Sequence, residues 1–208
     1  MPLKKPLFVV FEGIDGSGKS TACAETERVL CERSEPCVRL AEPTAGVFGA
    51  KIRSLLSLPI KPDPDVMLEL FVKDREEDVA ANIAPALNGR RIVLLDRYFY
   101  SNAAYQGASG IAYNRILKVN ARYGFPVPDR VYLFDIDPAA ALARVNSRND
   151  QSGTESDAFE KEPFLRDVRE LYLKMADERF VVIDASAPRE KILSLVIDDL
   201  ERNFSDAG

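Results

Sequence analysis

Residues 8–21 read FVVFEGIDGSGKST, an apolar run that breaks into glycines and ends in Lys-Ser-Thr. Within it Gly13-Ile14-Asp15-Gly16-Ser17-Gly18-Lys19-Ser20 satisfies the pattern GxxxxGK[ST], directly after a strand-like run and directly before a helix-like one. A phosphate-binding loop requires that context. Its glycines let backbone N–H groups turn inward, the helix N-terminus adds positive potential, Lys19 bridges phosphate oxygens and the Ser20 hydroxyl serves Mg²⁺. The pattern arises by chance in about one chain in a hundred of this length, so a glycine turn without a ligand is the weaker reading.

Outward from this loop, short apolar runs alternate with longer amphipathic ones. LFVVFE (7–12), CVRLA (37–41), RIVLLD (91–96), RVYLFDI (130–136) and FVVIDA (180–185) read as strands, apolar enough to be parallel and covered on both faces. Helical patterns fill 19–33, 64–87, 138–148, 162–178 and 188–203. The alternation predicts one α/β domain spanning 1–208: a doubly wound, five-stranded parallel sheet with right-handed crossovers and helices on both faces, of P-loop NTPase type. Such sheets bind ligands beyond the carboxyl ends of their strands. At those ends lie the glycine loop, AEPTAG (41–46), DRYFYSNAAYQG (96–107) and the polar stretch NDQSGTESD (149–157), which reads as part of a mobile lid over about 144–160.

Composition narrows the chemistry. The 208 residues carry a formal charge of −5 with lysines and arginines scattered, so no nucleic-acid or membrane footprint is expected. No apolar run approaches the roughly 20 residues of a membrane span, and the first residues lack a signal-peptide core, which points to the cytoplasm. Three cysteines (Cys23, Cys31, Cys37) without CxxC spacing or any histidine favour small buried hydrophobes over zinc or disulfides. Having no histidine also removes the usual general base. Catalysis then rests on positioning.

The loop alone does not separate a switch GTPase, a motor ATPase and a small-molecule kinase. No guanine-reading Asn-Lys-x-Asp occurs, and the chain ends soon after its fifth strand, which favours the kinase. Asp96-Arg97-Tyr98 closes the third strand, where a carboxylate reaches the metal side of the phosphates and an arginine meets a second anion. Phe71 and Arg75 stand four apart on a helix and share a face. A ring beside a guanidinium suits stacking on a base and donation to a base oxygen.

FEGIDGSGKST, EPT, LFVKDR, DRYFYSNAAYQG, FPVPDRVYLFDIDP and DAFEKEPFLRDVRELY occur in order along nearly the whole chain. Together they resemble the thymidylate kinase family. The resemblance implies transfer of the ATP γ-phosphoryl group to dTMP, with Mg²⁺ as cofactor, ATP and dTMP as substrate partners and a homodimer as the assembly. It places Gly13, Ile14, Asp15, Gly16, Ser17, Gly18, Lys19, Ser20 and Thr21 on ATP, and Ser20 and Asp96 on the metal. It places Asp15, Arg53 and Arg97 toward the acceptor's sugar and phosphate, Phe71, Arg75, Ser101, Asn102 and Gln106 around its base, and Glu42 and Pro43 among the substrate-binding residues. Tyr105 crowds the site of a ribose 2′-hydroxyl. Lys19, Arg97, Asp15, Asp96 and Arg148 form the catalytic set, with Arg144 behind Arg148 and Arg166 or Arg169 behind both. Two positions depart from the family pattern. Ala41 and Ala158 stand where relatives often carry arginine, and Arg39, on the same strand face as residue 41, is the candidate replacement for the first. The alternatives are a kinase of the same fold acting on another nucleotide or a deoxynucleoside, and a nucleotide-binding regulatory module without transfer activity.

Overall fold

The run at 7–12 forms β1 (Leu7–Glu12), buried along its whole length. It is the central strand of a five-stranded sheet in the order β2-β3-β1-β4-β5, all neighbours parallel, with β2 (Cys37–Ala41), β3 (Ile92–Asp96), β4 (Arg130–Asp135) and β5 (Phe180–Asp184). This computed structural model describes residues 2–58, 60, 62–152 and 162–205, with the side chains of 148–152 outside that description. The register sets Phe11 opposite Asp96 on one side and Tyr132 on the other. Strands β1, β3 and β4 are covered on both faces as their composition predicts. The edge strands β2 and β5 are only partly covered.

Around the sheet lie α1 (Lys19–Glu32), α2 (Val47–Leu56), α3 (Pro64–Asp78), α4 (Ala84–Asn88), α5 (Phe99–Ala108), α6 (Tyr113–Arg122), α7 (Pro138–Ser152), α8 (Glu162–Met175) and α9 (Arg189–Phe204). Alternation along β1 sends its residues to opposite faces. Phe11 packs with Tyr132, whose hydroxyl reaches Asp199 Oδ2 on α9 at 2.8 Å. Phe8 meets Tyr98 edge-on, and Glu12 reaches Ser101 on α5 and Tyr172 on α8. Helices therefore cover both faces, and both faces converge on the carboxyl end of β1.

Three differences from the expected elements have physical causes. The helix predicted over 64–87 starts well, with the Asp63 carboxylate accepting from Asp65 and Val66 N–H ahead of Pro64. It then widens into a π-turn at Val79–Ile83 before α4. Pro85 has no N–H for the Ala81 carbonyl, so the α-helical ladder cannot continue there. Helices α2, α5 and α6 occupy stretches read as connections; α5 is buried through most of its length, so its hydrophobic pattern has no contrasting polar face. Helix α7 continues four residues past the expected end at Arg148, and the rest of the polar stretch, with Asp157-Ala158-Phe159-Glu160, lies outside the described residues.

The cysteines are free, but only Cys23 and Cys37 are buried. Cys31 is exposed on the last turn of α1, its Sγ 3.4 Å from that of Cys37. Burial pushes the Cys37 thiol up to about 12.

Candidate active site

The glycine loop runs from β1 into α1 as its pattern requires. Gly18 caps α1 at φ +89°, a conformation that disfavours side chains, and no side chain caps the helix. With no acidic residue in the first turn, the N–H groups and positive end of α1 remain available to an anion. Gly16 approaches the first turns of α7 so closely that a Cβ there would lie 2.3 Å from the Ala141 carbonyl oxygen. Gly13, Ile14 and Ser17 are buried behind the loop, whereas Ser20 and Thr21 are exposed on the first turn of α1.

Lys19 is only 6% exposed, with its Nζ 3.7 Å from Asp15 Oδ1 and 3.9 Å from Asp96 Oδ1. Burial and the nearby Arg97 hold its pKa below the usual lysine range. Asp96 Oδ1 is buried and accepts no hydrogen bond from the described residues. That orphaned hard oxygen, with a loop hydroxyl such as Ser20, fits a Mg²⁺ ion completed by substrate phosphates and water. No described group of three or more acidic, Cys or His side chains could cage a metal alone.

Arg97 follows β3 in the left-handed conformation, φ +71°. Its guanidinium pairs with Asp15, reaches Ser101 Oγ at 3.1 Å and lies 5.1 Å from the centre of the Tyr105 ring. The Tyr105 hydroxyl bridges back to Asp15, accepting from its N–H at 3.1 Å and donating to Oδ2 at 3.3 Å. Burial pushes the Asp15 carboxyl up, but Arg97 and Lys19 more than offset this and bring it down to about 2. The loop and the segment after β3 are thus tied through alternating charges.

Beside this cluster opens a cavity of about 500 Å³. Asp15, Glu42, Pro43, Phe71, Arg75, Arg97, Ser101, Asn102, Tyr105 and Gln106 all line it. Phe71 and Arg75 do share a face. Arg75 is 1% exposed, donating to Glu42 Oε2 at 2.5 Å and Asn120 Oδ1 at 2.6 Å, with its guanidinium 5.1 Å from the centre of the Tyr98 ring. Burial outweighs Arg75 at Glu42 and pushes that carboxyl up to about 8. Gln106 is oriented by donation to the Pro64 carbonyl at 3.0 Å, so its oxygen accepts from the Asn102 amide nitrogen at 2.6 Å. This leaves Asn102 Oδ1, buried and without a hydrogen-bond partner among the described residues, as an acceptor.

Other expected residues stand elsewhere. Arg53 does not line the cavity; it clamps the loop after β2 by donating to the Pro43 and Thr44 carbonyls at 3.0 and 2.7 Å. Arg39, the candidate replacement for an arginine at 41, bonds Glu27 on α1 at 2.8 Å and does not line the cavity either. Arg148 lies on α7, its side chain outside the described residues. Arg144 donates to the Ala185 carbonyl at 3.0 Å, Arg166 pairs with Glu162, and Arg169 grips Asp135 with two bonds of 2.5 and 2.8 Å.

The sequence reading missed several supports. Asp74 fixes the loop after β2 by accepting from Thr44 N–H at 2.8 Å and Thr44 Oγ1 at 2.6 Å. Asn120 holds Arg75 from α6, and nothing in its local sequence marks it. Glu12 carried a signal, a charge closing an otherwise apolar strand, since a buried charge needs partners.

Comparison with known proteins agrees with this geometry. The thymidylate kinase family model matches residues 11–196. The chain is 36% identical over 205 residues to a thymidylate kinase of Leptospira borgpetersenii, covering 99% of this chain and 98% of that protein. It is 42% identical over 186 residues to a probable thymidylate kinase of Archaeoglobus fulgidus, covering 89% and 90% of the two. A thymidylate kinase of Akkermansia muciniphila is 39% identical over 204 residues, covering 98% and 95%. With a glycine loop of phosphate-binding pattern, a cavity lined by Arg75 and Arg97 beside it and a matching family model along most of its length, the chain belongs to the thymidylate kinase family.

Proposed function

We propose that the protein transfers the γ-phosphoryl group of MgATP to dTMP, giving dTDP and ADP. The observation that carries this reading is the make-up of the cavity lining, which holds Phe71, Arg75 and Asn102 together, the last with an Oδ1 that has no hydrogen-bond partner among the described residues. A thymine ring stacked on Phe71 presents a carbonyl to Arg75 and its imide N–H to Asn102 Oδ1. Cytosine reverses both, offering an amino group where Arg75 donates and a bare ring nitrogen where Asn102 accepts.

Phosphoryl transfer needs in-line placement and neutralised charge more than proton shuttling. Lys19 and the loop N–H groups hold the donor phosphates, and Arg97 grips the acceptor phosphate. Asp15, shared by Lys19, Arg97 and Tyr105, keeps both cations at the border between donor and acceptor. Tyr105 fills the space beside C2′ and disfavours ribonucleotides by clash. Ser20 and Asp96 would hold Mg²⁺, which supplies charge neutralisation on the phosphate oxygens when bound. Arg148, on α7, is assigned to the transferring group on the family resemblance alone. The family resemblance supports a homodimer acting on free nucleotides. No described helix is long and apolar enough to cross a membrane.

The test is ADP release from MgATP on addition of dTMP. Saturable, dTMP-dependent release with dTDP as product supports the reading. ATP binding without stimulated release would instead favour a regulatory module, and release with thymidine alone would favour a nucleoside kinase.

A further inference from the structure

Glu12 takes no direct part in the chemistry proposed above, yet it lies beneath the acceptor-phosphate site. It ends β1 at 0% exposure. A carboxylate so far from water persists only when its lone pairs are satisfied, and here they are. Its Oε1 accepts from Tyr98 N–H at 2.8 Å and Ser101 N–H at 3.2 Å; its Oε2 accepts from the Ser101 hydroxyl at 2.5 Å and the Tyr172 hydroxyl at 3.0 Å. Burial pushes its carboxyl up, while Ser101, Arg97, Tyr98 and Tyr172 pull it back.

Those contacts bracket Arg97. The Arg97 N–H bonds the Phe11 carbonyl at 3.0 Å, and the next N–H, that of Tyr98, bonds Glu12. The peptide groups on both sides of the left-handed residue are therefore anchored to the end of β1. Helix α5 has no capping side chain of its own, and Glu12 supplies from β1 the acceptor that its first N–H groups lack. The guanidinium is held through the same group, since Arg97 donates to the Ser101 Oγ that donates to Glu12.

We propose that Glu12 is a positioning residue for acceptor binding: it fixes the backbone and guanidinium of Arg97 so that the cation meets the acceptor's phosphate. The inference rests on the reading of Arg97 given under the proposed function. It predicts a coupling that a general structural role would not produce. Glu12→Gln keeps the shape and an oxygen for the two N–H groups but removes the charge behind Arg97.

Calorimetric binding of dTMP and of ADP to the wild type, Glu12→Gln, Arg97→Ala and the double variant tests it. Glu12→Gln should weaken dTMP about tenfold in the wild-type background and less than twofold once Arg97 is alanine, with ADP changed less than twofold in either. Equal weakening of dTMP in both backgrounds, or an equal loss for ADP, overturns the proposal. If Glu12→Gln does not fold, Ser101→Ala cuts the same link, and its effect on dTMP must likewise shrink in the Arg97→Ala background. Should the wild type bind another nucleoside monophosphate but not dTMP, the functional reading fails alone and the same cycle decides Glu12 with that ligand. Absence of any monophosphate binding overturns both.

Discussion

Replacing Arg75 by alanine should damage substrate recognition and stability together, by amounts that follow from its contacts. The guanidinium makes bonds of 2.5 Å to Glu42 and 2.6 Å to Asn120, both residues buried. Its removal orphans two buried acceptors at about 1–3 kcal/mol each, so a loss of about 2–6 kcal/mol is expected. At about 2–4 °C per kcal/mol for a chain of this size, Tm should fall by about 4–24 °C. The deficit should also depend on pH. Glu42 is a carboxyl whose folded pKa is raised, from 4.5 to about 8, so its burial favours the protonated form and becomes costly as pH rises through that range. Without Arg75 its pKa rises further, and the gap between wild type and variant should widen as pH climbs through about 8. Loss of a hydrogen bond from a charged donor to the base, about 1.5–3 kcal/mol, should raise KM for dTMP by about 10–150-fold and weaken its preference over dCMP. Thermal melts at several pH values and steady-state kinetics on the two nucleotides measure all three effects. An unchanged Tm would refute the argument from two orphaned buried acceptors; unchanged dTMP kinetics would show that Arg75 does not read the base.

Lys19→Ala should abolish turnover, because it removes the cation that bridges the donor phosphates; near-wild-type rates in a clean preparation would contradict the phosphate-loop assignment. Gly18→Ala meets no neighbouring atom within 4 Å and bears only the left-handed strain at φ +89°, about 1–2 kcal/mol. Gly16→Ala would set its Cβ 2.3 Å from the Ala141 carbonyl oxygen, far inside contact distance, so it should weaken ATP binding measurably more than Gly18→Ala, and equal effects would show that α7 yields freely. Asp15 titrates at about 2 in the fold against 3.8 when free, so its ion pairs stabilise the protein above pH about 4 and are lost as pH falls toward 2. Asp15→Asn should flatten that part of the acid-stability curve; an unchanged acid limb would mean that solvent screens the cluster.

The glycine loop and the apolar strand runs made the sheet legible because both are local patterns: period in the strands, fixed spacing in the loop. The cavity lining was largely legible too, since Phe71 and Arg75 share a helix face and the segment from 96 to 106 enters as one continuous piece. Residues that act through long-range partners were not. Asn120 reaches Arg75 from 45 positions away, and Asp74 holds Thr44 from 30 away, with no periodicity to reveal either. Arg39 shows the converse limit. Strand alternation placed it on the face of residue 41, but that face looks toward α1, where Glu27 takes the guanidinium. Arg53 donates to the Pro43 and Thr44 carbonyls, a clamp on the loop after β2 that its sequence position does not announce.

The central claim is that the cavity beside Arg97 selects a thymine monophosphate through Arg75 and Asn102. The most direct test is kcat/KM for dTMP and dCMP measured side by side by coupled ADP release, with saturating MgATP. The account predicts that dTMP is preferred by at least about tenfold, the discrimination that about 1.4 kcal/mol supplies, and that Asn102→Ala narrows the ratio. Equal kcat/KM for the two nucleotides, or a preference for dCMP, would contradict it.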